Sequence, residues 1–145
     1  GFFGATPELL NNLVSVLCEM YPGLIVSYSM APPFREITAD EDNKYIDAIN
    51  SSGVKILFVG LGCPKQEKWM AEHKEVLHCT MLGVGAAFDF ITGNKKHAPA
   101  WMQKIGMEWL FRLASEPRRL WKRYLKHNPR FVYYLILQLL GKKYV

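Results

Sequence analysis

Apolar runs alternate with glycine and proline punctuation through the first two thirds of the chain, and the spacing assigns an element to almost every run. Phe2-Phe3-Gly4-Ala5 ahead of Thr6-Pro7-Glu8 predicts a strand end, a glycine turn, an N-cap and a first helical turn with an acid at the positive end of the helix dipole. That helix should run to about Met20, where Tyr21-Pro22-Gly23 breaks it, and Leu24-Ile25-Val26-Ser27-Tyr28 predicts the next strand. Residues 29–36 are expected to be irregular, because Pro32-Pro33 fits neither a helix interior nor a central ladder. Thr38 with Glu41 forms a capping box, and the helix behind it turns Ile46 and Ile49 inward until Ser51-Ser52-Gly53. Residues 55–59 predict a third strand and residues 80–85 a fourth, each leading into a glycine pair. Between them a helix over 64–73 should place Pro64 at its first position and use Trp69 and Met70 as inward anchors. Strands alternating with helices in this way imply an α/β protein with a mostly parallel sheet and right-handed crossovers.

From Pro99 onward no further strand is expected, only helices punctuated by Gly106, Pro117 and Pro129. The division is therefore a sheet-bearing segment over residues 1–98 and a helical appendage over 99–145. Charge is also divided unevenly along the chain, with its break a little further on. Of a net +5, residues 1–111 carry 9 basic and 12 acidic side chains, hence −3, and residues 112–145 carry 9 basic and 1 acidic, hence +8. A tail of that sign is suited to an anionic partner. On a helix of about 100° per residue, Arg118, Arg119, Lys122, Arg123 and Lys126 share an arc of roughly 140°, opposite Leu120, Trp121, Tyr124 and Leu125. Asn128-Pro129 is expected to interrupt this helix, and the apolar run 131–140 behind it spans only about 15 Å as a helix, half a bilayer core. It can lie in a membrane interface with Lys142 and Lys143 on anionic lipid, or pack as an ordinary terminal helix with a solvated basic side. Nucleic acid ranks lower, because contiguous Leu and Ile have no function on it. The three scattered cysteines suit a reducing compartment, and neither a signal peptide nor an 18-residue apolar span is visible. Without an initiator Met, and opening on a strand end, the chain is expected to be the C-terminal part of a longer protein.

The stretch Gly60-Leu61-Gly62-Cys63-Pro64-Lys65-Gln66-Glu67 holds the best site signal, since a strand-to-helix turn of glycines lets backbone approach a ligand and offers helix N–H groups to an anion. It lacks the third glycine of a dinucleotide fingerprint and the lysine-hydroxyl pair of a P-loop, so by itself it is equally a packing device. Asp89, between Phe88 and Phe90 and close to Gly85, is a candidate acid, base or sugar-hydroxyl acceptor, or else a turn carboxylate capping the backbone. Asp40-Glu41-Asp42 contains a D-x-D pattern, yet it stands in the first turn of a capped helix, where dipole complementation accounts for it and no metal site is assigned. The four histidines show no ligand spacing, and Cys63 is explained as a small turn residue.

Taken together, Gly60-Leu61-Gly62-Cys63-Pro64-Lys65-Gln66-Glu67-Lys68-Trp69, the run from Gly83 to Phe90 with Gly93, Ala98-Pro99-Ala100-Trp101, and the run from Gly106 to Arg112 with Glu116-Pro117-Arg118-Arg119 resemble the WecG/TagA/CpsF family of bacterial glycosyltransferases. The resemblance covers nearly the whole chain. It implies a Rossmann-like sheet and inverting, metal-independent transfer of a sugar, an N-acetylhexosamine such as N-acetylmannosamine, from a UDP-sugar to an undecaprenyl-diphosphate-linked acceptor. The setting it implies is cell-surface polysaccharide, exopolysaccharide or teichoic acid synthesis, on the cytoplasmic face of the membrane and without a cofactor. Self-association stays open.

By residue, the resemblance implies a donor site of Gly60, Gly62, Pro64, Lys65, Gln66, Glu67 and Gly85, joined by Arg112 and Arg119 of the appendage, with Asp89 as the carboxylate in the chain. The membrane side is implied at Arg118, Trp121, Lys122, Arg123, Tyr124 and Lys126. Relatives carry an upstream aspartate in a D-G turn as the usual base, which this chain does not include, and residues 28–34 depart from the Gly-Tyr-Phe loop many of them have. A non-catalytic nucleotide-binding module tethered by its tail is the alternative.

Overall fold

The structure, a computed structural model, describes residues 1–140; the side chains of Arg119, Arg123, Lys126 and His127 also lie outside the description, as do the lysines at 142 and 143. The chain divides into two compact units between Lys96 and His97. In the first, β1 (Phe2–Gly4), β2 (Ser29–Met30), β3 (Ile56–Gly60) and β4 (Thr80–Gly83) form an all-parallel sheet in the order β2-β1-β3-β4. The crossovers are α1 (Pro7–Met20), α2 (Ala39–Ser51) and α3 (Lys65–His73), and a short α4 (Ala87–Ile91) follows β4. This is a mixed α/β, Rossmann-like architecture.

Successive strand residues point to opposite faces, and each face has its own core. Phe2, stacked on its ladder partner Phe58 at 5.7 Å, packs with Leu10, Leu13 and Phe88 beneath α1 and α4. Phe3, Leu57 and Val59 face the other way and pack with Ile49 of α2 and Trp69 of α3. Local signals start the helices as their residues dictate. Thr6 accepts a hydrogen bond from Leu9 N–H ahead of α1, and Thr38 and Glu41 close a reciprocal capping box ahead of α2.

Three expectations need correction. The second strand lies at Ser29–Met30, not at 24–28, because β1 offers its ladder only there: Phe2 pairs with Ser29 and Phe3 with Met30, and Phe2 N–H donates to Tyr28 O. The apolar character of Leu24 and Ile25 does not mark a core strand, since Ile25 is 84% exposed. Pro64 is not the first helical residue of α3 but its N-cap, after a cis Cys63–Pro64 bond, because the turn closes through Gln66 N–H to Gly62 O and the helix begins at Lys65. Finally, Pro129 does not interrupt the tail helix.

That helix belongs to the second unit, which contains α5 (Ala100–Lys104), α6 (Glu108–Ser115) and α7 (Pro117–Leu139). Gly106, at φ +72°, separates α5 from α6, and Pro117 opens α7 as the missing donor at a helix start allows. α7 continues for 23 residues with Pro129 inside it, which forfeits the bond its own nitrogen would have given one turn back. No described helix is long and apolar enough to cross a membrane.

Candidate functional site

In the order β2-β1-β3-β4 the chain leaves β1 toward one edge and returns to its other side, so the topological switch point falls between β1 and β3. Both strands end there in glycine, and Gly4 and Gly60 are ladder partners. The approach is so close that a Cβ on Gly4 would sit 2.5 Å from Gly60 C, and Gly4 has φ +127° besides. Ala5 follows at φ +61°, an unusual value for a residue with a Cβ. The sequence marks the turn after β1 as a glycine turn ahead of a capped helix, but not as part of the site.

The turn after β3 carries Gly62 at φ +81°, then exposed Pro64 and Lys65 and the exposed Glu67 on α3. Beside it lies the turn after β4, with Gly85 at φ +53°. Two side chains lace these turns together. From α3, Gln66 is 6% exposed, accepts a hydrogen bond at Oε1 from Gly85 N–H (3.0 Å) and donates from Nε2 to Glu67 Oε1 (3.0 Å). From α4, the buried Phe88 lays its ring on Gly60, where any Cβ would overlap it. In sequence Phe88 stands beside Asp89 and within the run from Gly83 to Phe90; its contact to Gly60 is long-range and leaves no local trace.

Asp89 lies in the first turn of α4, partly exposed, with Oδ2 3.5 Å from Lys95 Nζ, while its carbonyl accepts from Lys95 N–H. Gln66 and Asp89 are thus joined through the Gly85 turn and α4 rather than by a bond between side chains. Of the D-x-D pattern, Asp42 is committed to α3: Oδ1 accepts from Trp69 Nε1 (3.2 Å) and Oδ2 meets His73 Nε2 (2.8 Å). Glu41 is committed to the α2 cap and Arg35. Among the described residues no cluster of His, Cys, Asp and Glu of metal-binding size occurs. Cys63 is an exposed free thiol.

The residues assigned to the appendage lie in the second unit. Arg112 on α6 pairs with Glu108 one turn back at 3.3 Å, and Arg119 stands on the first turns of α7. Arg118 and Lys122 are exposed, with Lys122 Nζ 5.6 Å from the ring centre of Trp121. Tyr124 meets Trp109 edge to face, and Leu120 alone of the apolar arc is fully buried; Trp121 and Leu125 remain exposed. An apolar cavity of about 990 Å³ runs along α7, lined among others by Trp109, Leu113, Trp121, Phe131 and Ile136.

Glycine turns side by side at the carboxyl ends of neighbouring parallel strands, around a switch point, belong to a Rossmann-like α/β protein. Comparison with protein families gives the particular kind. Residues 1–144 match the family described as "Glycosyl transferase WecG/TagA/CpsF family", and the chain belongs to it. It is a member of a transferase family whose reaction needs a sugar donor and an acceptor.

Proposed function

We propose that the chain moves a sugar, an N-acetylhexosamine such as N-acetylmannosamine, from a UDP-sugar to an undecaprenyl-diphosphate-linked acceptor, with inversion, in bacterial surface-polymer synthesis. The observation that carries this reading is the pairing of the β3 and β4 turns, Gly60 to Glu67 beside Gly83 to Asp89, in a chain of a glycosyltransferase family. The leaving UDP gains negative charge as the glycosidic bond breaks. Backbone amides at glycine turns, the start of α3 and Lys65 supply positive potential without reorganisation. In this reading the diphosphate is met by these groups and no metal is required. Asp89 orients a sugar hydroxyl or takes part in proton transfer.

The appendage is proposed to rest on the anionic inner face of the cytoplasmic membrane, where the acceptor lipid lies. Supporting this, Phe131, Tyr133, Ile136, Leu139 and Leu140 are each more than half exposed on a helix whose preceding turns carry Arg118 and Lys122. An apolar, aromatic helix end beside basic turns suits an interface.

Transfer of labelled sugar from UDP-sugar to a polyprenyl-diphosphate acceptor by the intact protein tests the reading. Stoichiometric transfer is expected; UDP binding with no transfer would favour a non-catalytic nucleotide-binding module.

A further inference from the structure

Gln66 lies where a substrate ligand is expected, but half of its side-chain hydrogen-bonding capacity is already committed. Its amide orientation is determined by its neighbours. With Oε1 toward Gly85 N–H and Nε2 toward Glu67, each contact pairs a donor with an acceptor; the flipped amide would set N–H against N–H and oxygen against carboxylate. One N–H and one lone pair remain, on a side chain 6% exposed. The amide also fills the space over β4: a Cβ on Gly83 would lie 3.0 Å from Gln66 Nε2 and 3.2 Å from Met70 Sδ.

Gly85 holds a left-handed backbone at the entrance to α4, and its N–H is fixed by Gln66 from the neighbouring turn. Two residues on, α4 begins, with Ala87 N–H bonded to Val84 O and Phe88 locked against Gly60. A shift of the Gly85 turn would therefore move α4 and the carboxylate of Asp89 relative to the β3 turn. We propose that Gln66 is a positioning residue: it fixes the Gly85 turn, and through it Asp89, and does not itself contact the sugar nucleotide. The kinetic part of this inference rests on the glycosyltransfer reading; the conformational part does not.

The test uses Gln66→Met in the full chain, which keeps the volume and removes the acceptor; Gln66→Asn, one methylene too short to reach Gly85, serves if the Met variant does not fold. Three quantities are read: amide exchange at Gly85, UDP affinity by calorimetry, and kcat and KM for sugar transfer. Loss of a single positioning hydrogen bond should speed Gly85 exchange by about 10-fold and lower kcat by about 10-fold, with UDP affinity and donor KM held within about 3-fold. A rise of about 10-fold in donor KM with Gly85 exchange unchanged would make Gln66 a ligand and overturn the proposal. Faster Gly85 exchange with unchanged kcat would reduce Gln66 to a structural residue and overturn it equally. If no variant nor the parent transfers sugar while Gly85 exchange still rises, the glycosyltransfer reading fails and the Gln66–Gly85 coupling stands.

Discussion

Asp42 and His73, 31 residues apart, meet through a 2.8 Å contact between Oδ2 and Nε2 that ties α2 to α3. The opposite ring nitrogen, Nδ1, lies 2.7 Å from the carbonyl of Trp69, and the imidazole stacks on the Trp69 ring at 4.1 Å. Both ring nitrogens lie within hydrogen-bond reach of an acceptor, so the ring is held from two elements at once. Since His73 is buried, Asp42→Ala should leave an uncompensated polar ring and cost about 2 kcal/mol. Urea denaturation measures it; an unchanged midpoint would show that the pair contributes nothing.

Gly60 and Phe88 define a second dependency. A methyl at Gly60 would displace a ring that also meets Phe2 edge to face at 5.7 Å, so it cannot swing away freely. Gly60→Ala should destabilise the fold by about 1–3 kcal/mol, the range for overpacking. The paired variant Gly60→Ala with Phe88→Leu should recover part of the loss. Recovery absent from the melting curves would place the strain elsewhere.

Tyr28 carries a phenol oxygen that is buried and has no hydrogen-bond partner among the described residues. Tyr28→Phe removes an unsatisfied group while keeping the ring in the core with Phe3, and should raise stability by about 1 kcal/mol. Burial, with Tyr45 nearby, also pushes the phenol up to about 12 from 10.0. The group is then neutral in the fold where the unfolded chain ionises, so its contribution is present below pH 10 and is lost as pH rises toward 12. A lower urea midpoint for Tyr28→Phe would contradict the orphaned hydroxyl.

Glu41 should titrate far below an ordinary glutamate. Arg35 grips it with two hydrogen bonds, at 2.7 and 2.5 Å, and Thr38 N–H adds a third, which together hold the carboxyl down to about 2 from 4.5. A depressed carboxyl stabilises the α2 cap above pH 4.5 and loses that contribution as pH falls toward 2. The Glu41 carboxyl carbon followed by NMR should have its midpoint near 2 and move back toward 4.5 in Arg35→Ala. A midpoint near 4.5 in the parent chain would contradict the clamp.

What was legible in the sequence was local. The α2 capping box involves residues three apart, and the inward face of α3 declares itself through Trp69; both arise from contacts a linear pattern encodes. β2 was displaced because a strand's register belongs to its partner: Ser29 and Met30 are strand only because Phe2 and Phe3 lie alongside. The site divides in the same way. Its glycines announced the turns, whereas the bond that makes Gln66 informative runs 19 residues along the chain to a backbone N–H, and no side-chain pattern reports that. Pro129 failed as a stop signal because one missing bond within 23 helical residues does not end a helix.

The central claim, that the paired glycine turns receive the nucleotide of a sugar donor, is tested most directly by titrating UDP into the isotopically labelled chain and mapping amide shifts. The account predicts that Gly60, Gly62, Gly83 and Gly85 move together and saturably. Saturating UDP that leaves these four amides in place, or moves only residues 97–140, would contradict it.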